Sequence, residues 1–272
     1  MASEYKQTII SGEVTERNPD GTVKAIYTVN DGVENGPYES FWPNGNTKAK
    51  MKKVNGEVEG ERTLYRENGT REKVETFRQG EKNGRYTIYD ETGRNIVEAG
   101  VNRNGQKVSF ERVETRNGKK IQIFGKIQPN GEMKHTVFCD GRLIAEGMLR
   151  EPLQLKDDYT KNDFRAGEFK TYFSNPELKE GQLKESGFKK NGVLDGEYIK
   201  NELSWKKTKE GQMIPLTDRA TEFRSIYQNG HKISERANYE KRLETVRPSE
   251  REGSQQSIFD LAARFRGGGY QQ

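Results

Sequence analysis

Residues 36–60 read GPYESFWPNGNTKAKMKKVNGEVEG, and the glycines of that stretch decide the fold. Gly36, Gly60 and Gly84 stand 24 residues apart, as do Gly45, Gly69 and Gly93, and a third series, Gly32, Gly56 and Gly80, has the same step. Gly12 and Gly21 extend the first two series backward, so four units run from about Gly12 to Gly105. An aromatic follows the first glycine by five residues at Phe41, Tyr65 and Tyr89. A period of this length marks a repeat array, which more often serves as a binding surface than as a catalyst. Runs such as Pro37–Trp42 and Thr47–Val54 are too short and too closely broken by glycine for helices, and they have the usual length of strands. Tyr38, Phe41, Leu64, Tyr65, Tyr86, Ile88 and Tyr89 favour strands as well. Asn-Gly at 44–45, 55–56 and 68–69 signals hairpins, because both residues tolerate the positive φ of a type I′ turn. The expected fold is all-β: an elongated antiparallel meander of 24-residue hairpin repeats.

The chain has 272 residues, of which 30% are hydrophobic and 33% charged. That is thin for a globule of this length, and an open array with a narrow core tolerates it better. The net charge of +5 arises from 47 basic against 42 acidic residues. It permits contact with nucleic acid or anionic lipid, but no dense basic block requires either. Lys48, Lys50, Lys52 and Lys53 form the best local cluster, and their alternation points to a solvent-facing side of one strand. Cys139 is alone, which excludes an internal disulfide and fits a reducing compartment. Met1–Ile10 has no apolar leader and no stretch reaches membrane-helix length, so the expected location is cytoplasmic.

The pattern of Gly, an aromatic five on, Asn-Gly nine on, a Lys/Glu-rich strand, then a second turn and a spaced Gly resembles the MORN-repeat variant of the YwqK-family antitoxin proteins. It is carried by residues 36–60, by GERTLYRENGTREKVETFRQGEKNG at 60–84 and by GRYTIYDETGRNIVEAGVNRNG at 84–105. It weakens through Gly147 and returns in degraded form from Gly167 to Gly196 and around Ile226–Gly230. The departures are Arg17 in place of the first aromatic, a polar insertion at Glu151–Asp163, and Asn201–Asp218, which lacks the glycine register and reads as a loop or connection. Three segments follow: residues 1–147 as the repeat array, 148–230 as insertion plus degenerate repeats, and 231–272 as a charged linker and amphipathic tail.

Residues for catalysis are few. His135 and His231 are the only histidines, and four residues along a strand would hold His135 and Cys139 about 13 Å apart. That is too far for a nucleophile–base pair. One cysteine and two distant histidines make no metal site, the glycines are turn glycines rather than a phosphate loop, and no carboxylate is singled out. No enzyme activity, cofactor or metal is expected. Phe41, Tyr65 and Tyr89 are expected to pack as a cross-strand ladder, the functional alternative being an exposed strip that receives a partner.

Lys232–Arg247 is charged, free of glycine and capable of helix, and Pro248–Ser254 reads as a linker. Ser257–Arg266 then has Ile258, Leu261 and Phe265 on one helical face, with Ser257 as N-cap and a glycine run behind. So short a helix needs a groove for its apolar face, in this chain or in a partner. The expected function is a non-enzymatic protein-binding module. The resemblance implies the partner class: a toxin or effector that the chain occludes as antitoxin or immunity protein. The alternative is a structural or assembly protein, of a phage or secretion system, docked through the C-terminal helix. Partner-binding candidates are Phe41, Tyr65, Tyr89, Ile258, Leu261 and Phe265. Lipid is a minor reading, and nucleic acid is not indicated.

Overall fold

A computed structural model describes residues 11–149, 164–175 and 177–243. All regular structure among them is β-strand, in seventeen elements. The chain divides into two compact units, the division falling between Glu111 and Arg112 in the sequence. In the first, β1 (Gly12–Arg17), β2 (Val23–Asn30), β3 (Val33–Phe41), β4 (Thr47–Val54), β5 (Glu57–Tyr65), β6 (Arg71–Arg78), β7 (Glu81–Tyr89) and β8 (Ile96–Arg103) pair antiparallel in sequence order. β9 (Gln106–Arg116) spans the division. In the second, β10 (Lys119–Ile127), β11 (Met133–Cys139), β12 (Arg142–Leu149), β13 (Phe164–Tyr172), β14 (Leu183–Lys190), β15 (Val193–Lys207), β16 (Met213–Gln228) and β17 (His231–Arg242) pair in the same manner. The expected antiparallel hairpin meander is therefore present.

Two expectations fail locally. Asn201–Asp218 is no loop: it belongs to β15 and β16, joined by a tight turn at Thr208–Gly211. His231–Arg242 is strand where helix was expected, because the turn at Asn229-Gly230 lays it beside β16, and pairing overrides local propensity. Ser257–Arg266, with Ile258, Leu261 and Phe265, lies outside the described residues, as does the insertion Glu151–Asp163.

Two turn types alternate along the first unit. At Asp31-Gly32, Asn55-Gly56 and Gln79-Gly80 both residues have positive φ, the type I′ signature. At Gly21, Gly45 and Gly69 only the glycine is left-handed, and its N–H bonds the carbonyl three residues back. Asn44-Gly45 and Asn68-Gly69 are thus type I turns closed by a glycine bulge rather than the expected type I′ pairs. The alternation breaks once: Asn104-Gly105 and Asn117-Gly118 are successive two-residue turns, and the division between units falls between them. Gly45 has φ +85° with nothing within 4 Å of an added Cβ, so Gly45→Val isolates backbone strain. It is expected to cost about 1–2 kcal/mol in chemical denaturation.

Successive repeats of the first unit are stapled at both ends of the strands. At the bulge turns Trp42 Nε1 donates to the Tyr65 carbonyl at 3.0 Å and Arg66 NH2 to the Tyr89 carbonyl at 2.8 Å. At the two-residue turns the N–H of Gly56, Gly80 and Gly105 bonds the carbonyl of Glu34, Val58 and Lys82. Asp90 holds the position of Trp42 and Arg66 in its repeat but spends its carboxylate on its own turn, accepting from Thr92 and Asn95 at 2.7 Å each. That turn carries one extra residue. Gly84 faces Asn102, eighteen on, where Gly36 and Gly60 face Lys53 and Phe77, seventeen on. The 24-residue step is lost at this point.

Candidate interaction faces

Strand alternation sorts the first unit into two faces. Tyr38 (β3), Met51 and Lys53 (β4), Arg62 (β5), Lys73, Glu75 and Phe77 (β6) and Tyr86 (β7) point to one side, since Tyr38 faces Met51, Arg62 faces Glu75, and Glu75 faces Tyr86. This side is a continuous row of charges and rings. Tyr27 and Tyr38 stack at 5.7 Å between centroids, and Lys53 lies over Tyr38 at 4.7 Å while pairing with Glu34. One repeat on, the partners exchange places: Arg62 holds the position of Tyr38 and Phe77 that of Lys53, with the guanidinium 4.5 Å from the ring. Either order gives the same cation–π contact, so the repeat conserves the pair rather than the residues.

Glu75 lies at the centre and is 1% exposed. Arg62 donates to Oε2 at 2.6 Å, while Lys73 and Lys82 stand 2.7 and 2.9 Å from Oε1. Burial by itself would raise its pKa, but bonds from Lys73, Arg62 and Lys82 prevail and bring it from 4.5 down to about 2. A carboxylate so held stays ionised at neutral pH and makes a poor proton shuttle, which needs a pKa near the working pH. The row continues through Tyr86, whose hydroxyl donates to Glu98 at 2.7 Å. Lys107 pairs with Glu98 at 2.6 Å and lies 4.9 Å from the Phe110 ring. No signal in the sequence marks Glu75, because its three cations arrive from three strands.

The repeated aromatics have a different place. Phe41, Tyr65 and Tyr89 each follow a register shift, between Ser40/Phe41, Leu64/Tyr65 and Ile88/Tyr89, at the strand end that enters the bulge turn. Phe41 and Tyr65 are half-buried, whereas Tyr89 is 7% exposed, with the Arg71 guanidinium 5.2 Å from its ring and bonded to its hydroxyl.

The opposite face holds the second member of each alternation. Lys50, Lys52, Glu61 and Arg85 are exposed there, beside half-buried Thr63, Thr76 and Thr87. Lys48, Lys50 and Lys52 do form the solvent-facing side of β4, and Lys53 turns inward to Glu34 and Tyr38. Lys50 pairs with Glu39 at 3.2 Å. Beside the two-residue turns an open hollow of about 410 Å³ is lined by Arg78, Gln79, Glu81, Asn83 and Asn104, all polar, unlike the apolar pockets that take small molecules.

In the second unit His135 and Cys139 are both buried on β11, which pairs with β10 without a shift over Met133–Cys139. Four residues of unbroken strand keep them about 13 Å apart. Among the described residues no three of His, Cys, Asp and Glu gather as a metal site, and no helix is long and apolar enough to cross a membrane. No protein-family model and no curated protein matches the chain.

Proposed function

We propose that the chain is a non-enzymatic protein-binding module whose first unit docks a partner on the face carrying Lys50, Lys52, Glu61 and Arg85. The observation that supports this is the asymmetry of the two faces. One is occupied by its own ion–ring row around Glu75, and the other offers exposed charges of both signs, with Glu61 and Arg85 one repeat apart. Edge addition of a partner strand is disfavoured within the array, because each internal strand already has two neighbours. The resemblance to MORN-variant antitoxins supports a toxin or effector as partner, inhibited by occlusion of its working surface.

The test is co-expression with the toxic product of a neighbouring gene. The wild type should restore growth and bind that product stoichiometrically. The triple change Lys50→Glu, Lys52→Glu, Arg85→Glu should abolish both without lowering the melting temperature by more than a few degrees. A wild type that rescues no effector sinks the antitoxin reading, and rescue that survives the triple change moves binding to another surface.

A further inference from the structure

The longest strands of the protein make a device that the repeat does not need. β15 and β16 run 15 and 16 residues, against 8 to 9 for most others in their unit. β14 pairs with β15 only as far as Lys200, and β17 pairs with β16 only from Arg219 onward. Among the described residues, Trp205–Lys207 and Met213–Pro215 therefore pair only with each other: Trp205 with Pro215, Lys206 with Ile214 and Lys207 with Met213. This two-stranded arm is closed by the Thr208–Gly211 turn.

Its root is built. The register steps from Leu203↔Ala220 to Trp205↔Pro215, so Leu216–Arg219 bulge against Ser204 alone. Gln182 Nε2 holds the bulge by a 2.9 Å bond to the Thr217 carbonyl, and Asn201 Nδ2 bonds the Leu183 carbonyl at 3.1 Å. Bulges re-aim the strands that carry them, and this one is fixed by side chains.

The arm's tip carries the wrong residues for a free hairpin. Trp205 and Met213 are 57% and 53% exposed, and Trp205, Pro215 and Met213 share one side with Lys207. Lys206, on the other side opposite Ile214, and Lys209, in the turn, stand close by, against the single acid Glu210, and all three lysines are exposed. We infer that this arm is a membrane-surface anchor, which places Trp205 and Met213 at the headgroup level of an anionic bilayer with Lys206, Lys207 and Lys209 on its phosphates. Tryptophan prefers that depth, and each lysine near an anionic surface adds attraction. A protein interface would be depleted of lysine at its centre, and a single-strand nucleic-acid site would stack bases on several rings rather than one.

The experiment is flotation of the full chain with vesicles of phosphatidylcholine, with or without phosphatidylserine, at low salt. Phosphatidylserine vesicles should carry the protein and neutral ones should not. In a Trp42→Phe background, where Trp205 is the only tryptophan, its emission should shift to the blue on binding. Lys206→Gln, Lys207→Gln, Lys209→Gln together should weaken partitioning about 100-fold, and Trp205→Ala with Met213→Ala should abolish it. Circular dichroism should be unchanged in both variants, as the residues are exposed. Absence of flotation with phosphatidylserine, equal flotation with neutral vesicles, flotation indifferent to the arm changes, or Trp205 quenching by single-stranded RNA without vesicle binding would each overturn the assignment.

Discussion

Glu75→Ala is expected to destabilise the protein by about 3 kcal/mol, the low end of the cost of breaking a buried ion pair, because the three cations it leaves are a quarter to two-fifths exposed. The carboxylate neutralises Arg62, Lys73 and Lys82, and removing it leaves three cations facing one another across the row. Glu75→Gln keeps the volume and should recover little, whereas Glu61→Gln on the exposed face should stay within about 0.5 kcal/mol. The effect has a pH signature. The folded pKa lies below the unfolded value, so the stabilisation is complete above about 4.5 and is lost as pH falls from there to about 2. Over that window it amounts to about 3 kcal/mol. Urea midpoints of wild type and Glu75→Gln should converge as the solution is acidified. A gap that persists at pH 2 would mean that packing, rather than charge, explains the residue.

Gly100→Ala, one methyl on β8, should cost about 3 kcal/mol, at the top of the range for an overfilled site. Unlike the turn glycines, Gly100 is not in the left-handed region, so the cost comes from space alone. An added Cβ would sit 2.3 Å from the Ser109 carbonyl and 2.8 Å from both Cε1 and Oη of Tyr86. The carbonyl belongs to backbone and cannot swing aside, and Tyr86 is held by Glu98. Denaturation showing a loss under 1 kcal/mol would mean that β8 and β9 part easily here, and the row through Tyr86 and Lys107 would lose its rigid centre.

Local chemistry in the sequence was a good guide to the strands, because a glycine that must be left-handed shows itself in one letter. It was a poorer guide to turn class. Asn44-Gly45 and Asn55-Gly56 look alike as dipeptides, and what separates them is a backbone bond, from the Gly45 N–H to the Trp42 carbonyl, that leaves no mark on residue type: Asn18 and Arg66 accept the same bond in their turns. The β15–β16 turn has the same bond, from the Gly211 N–H to the Thr208 carbonyl. β17 misled because it has no glycine and many charges, and its strand state is imposed by β16. Glu75 was hidden for a related reason. Its burial depends on Arg62, thirteen residues before it, and Lys82, seven after, which only the register of three strands brings together.

Asp90 gives the array a grammar. Trp42 and Arg66 each reach forward to the repeat that follows, so a further 24-residue unit inserted before Asp90 would find a donor waiting behind it and an acceptor ahead. Asp90 closes upon itself and adds the odd residue that ends the period, so it acts as a full stop. Length can then vary in whole units on one side of it and not on the other. A lineage could lengthen or shorten the array by unequal recombination while keeping the turn-to-turn bonds that join one repeat to the next.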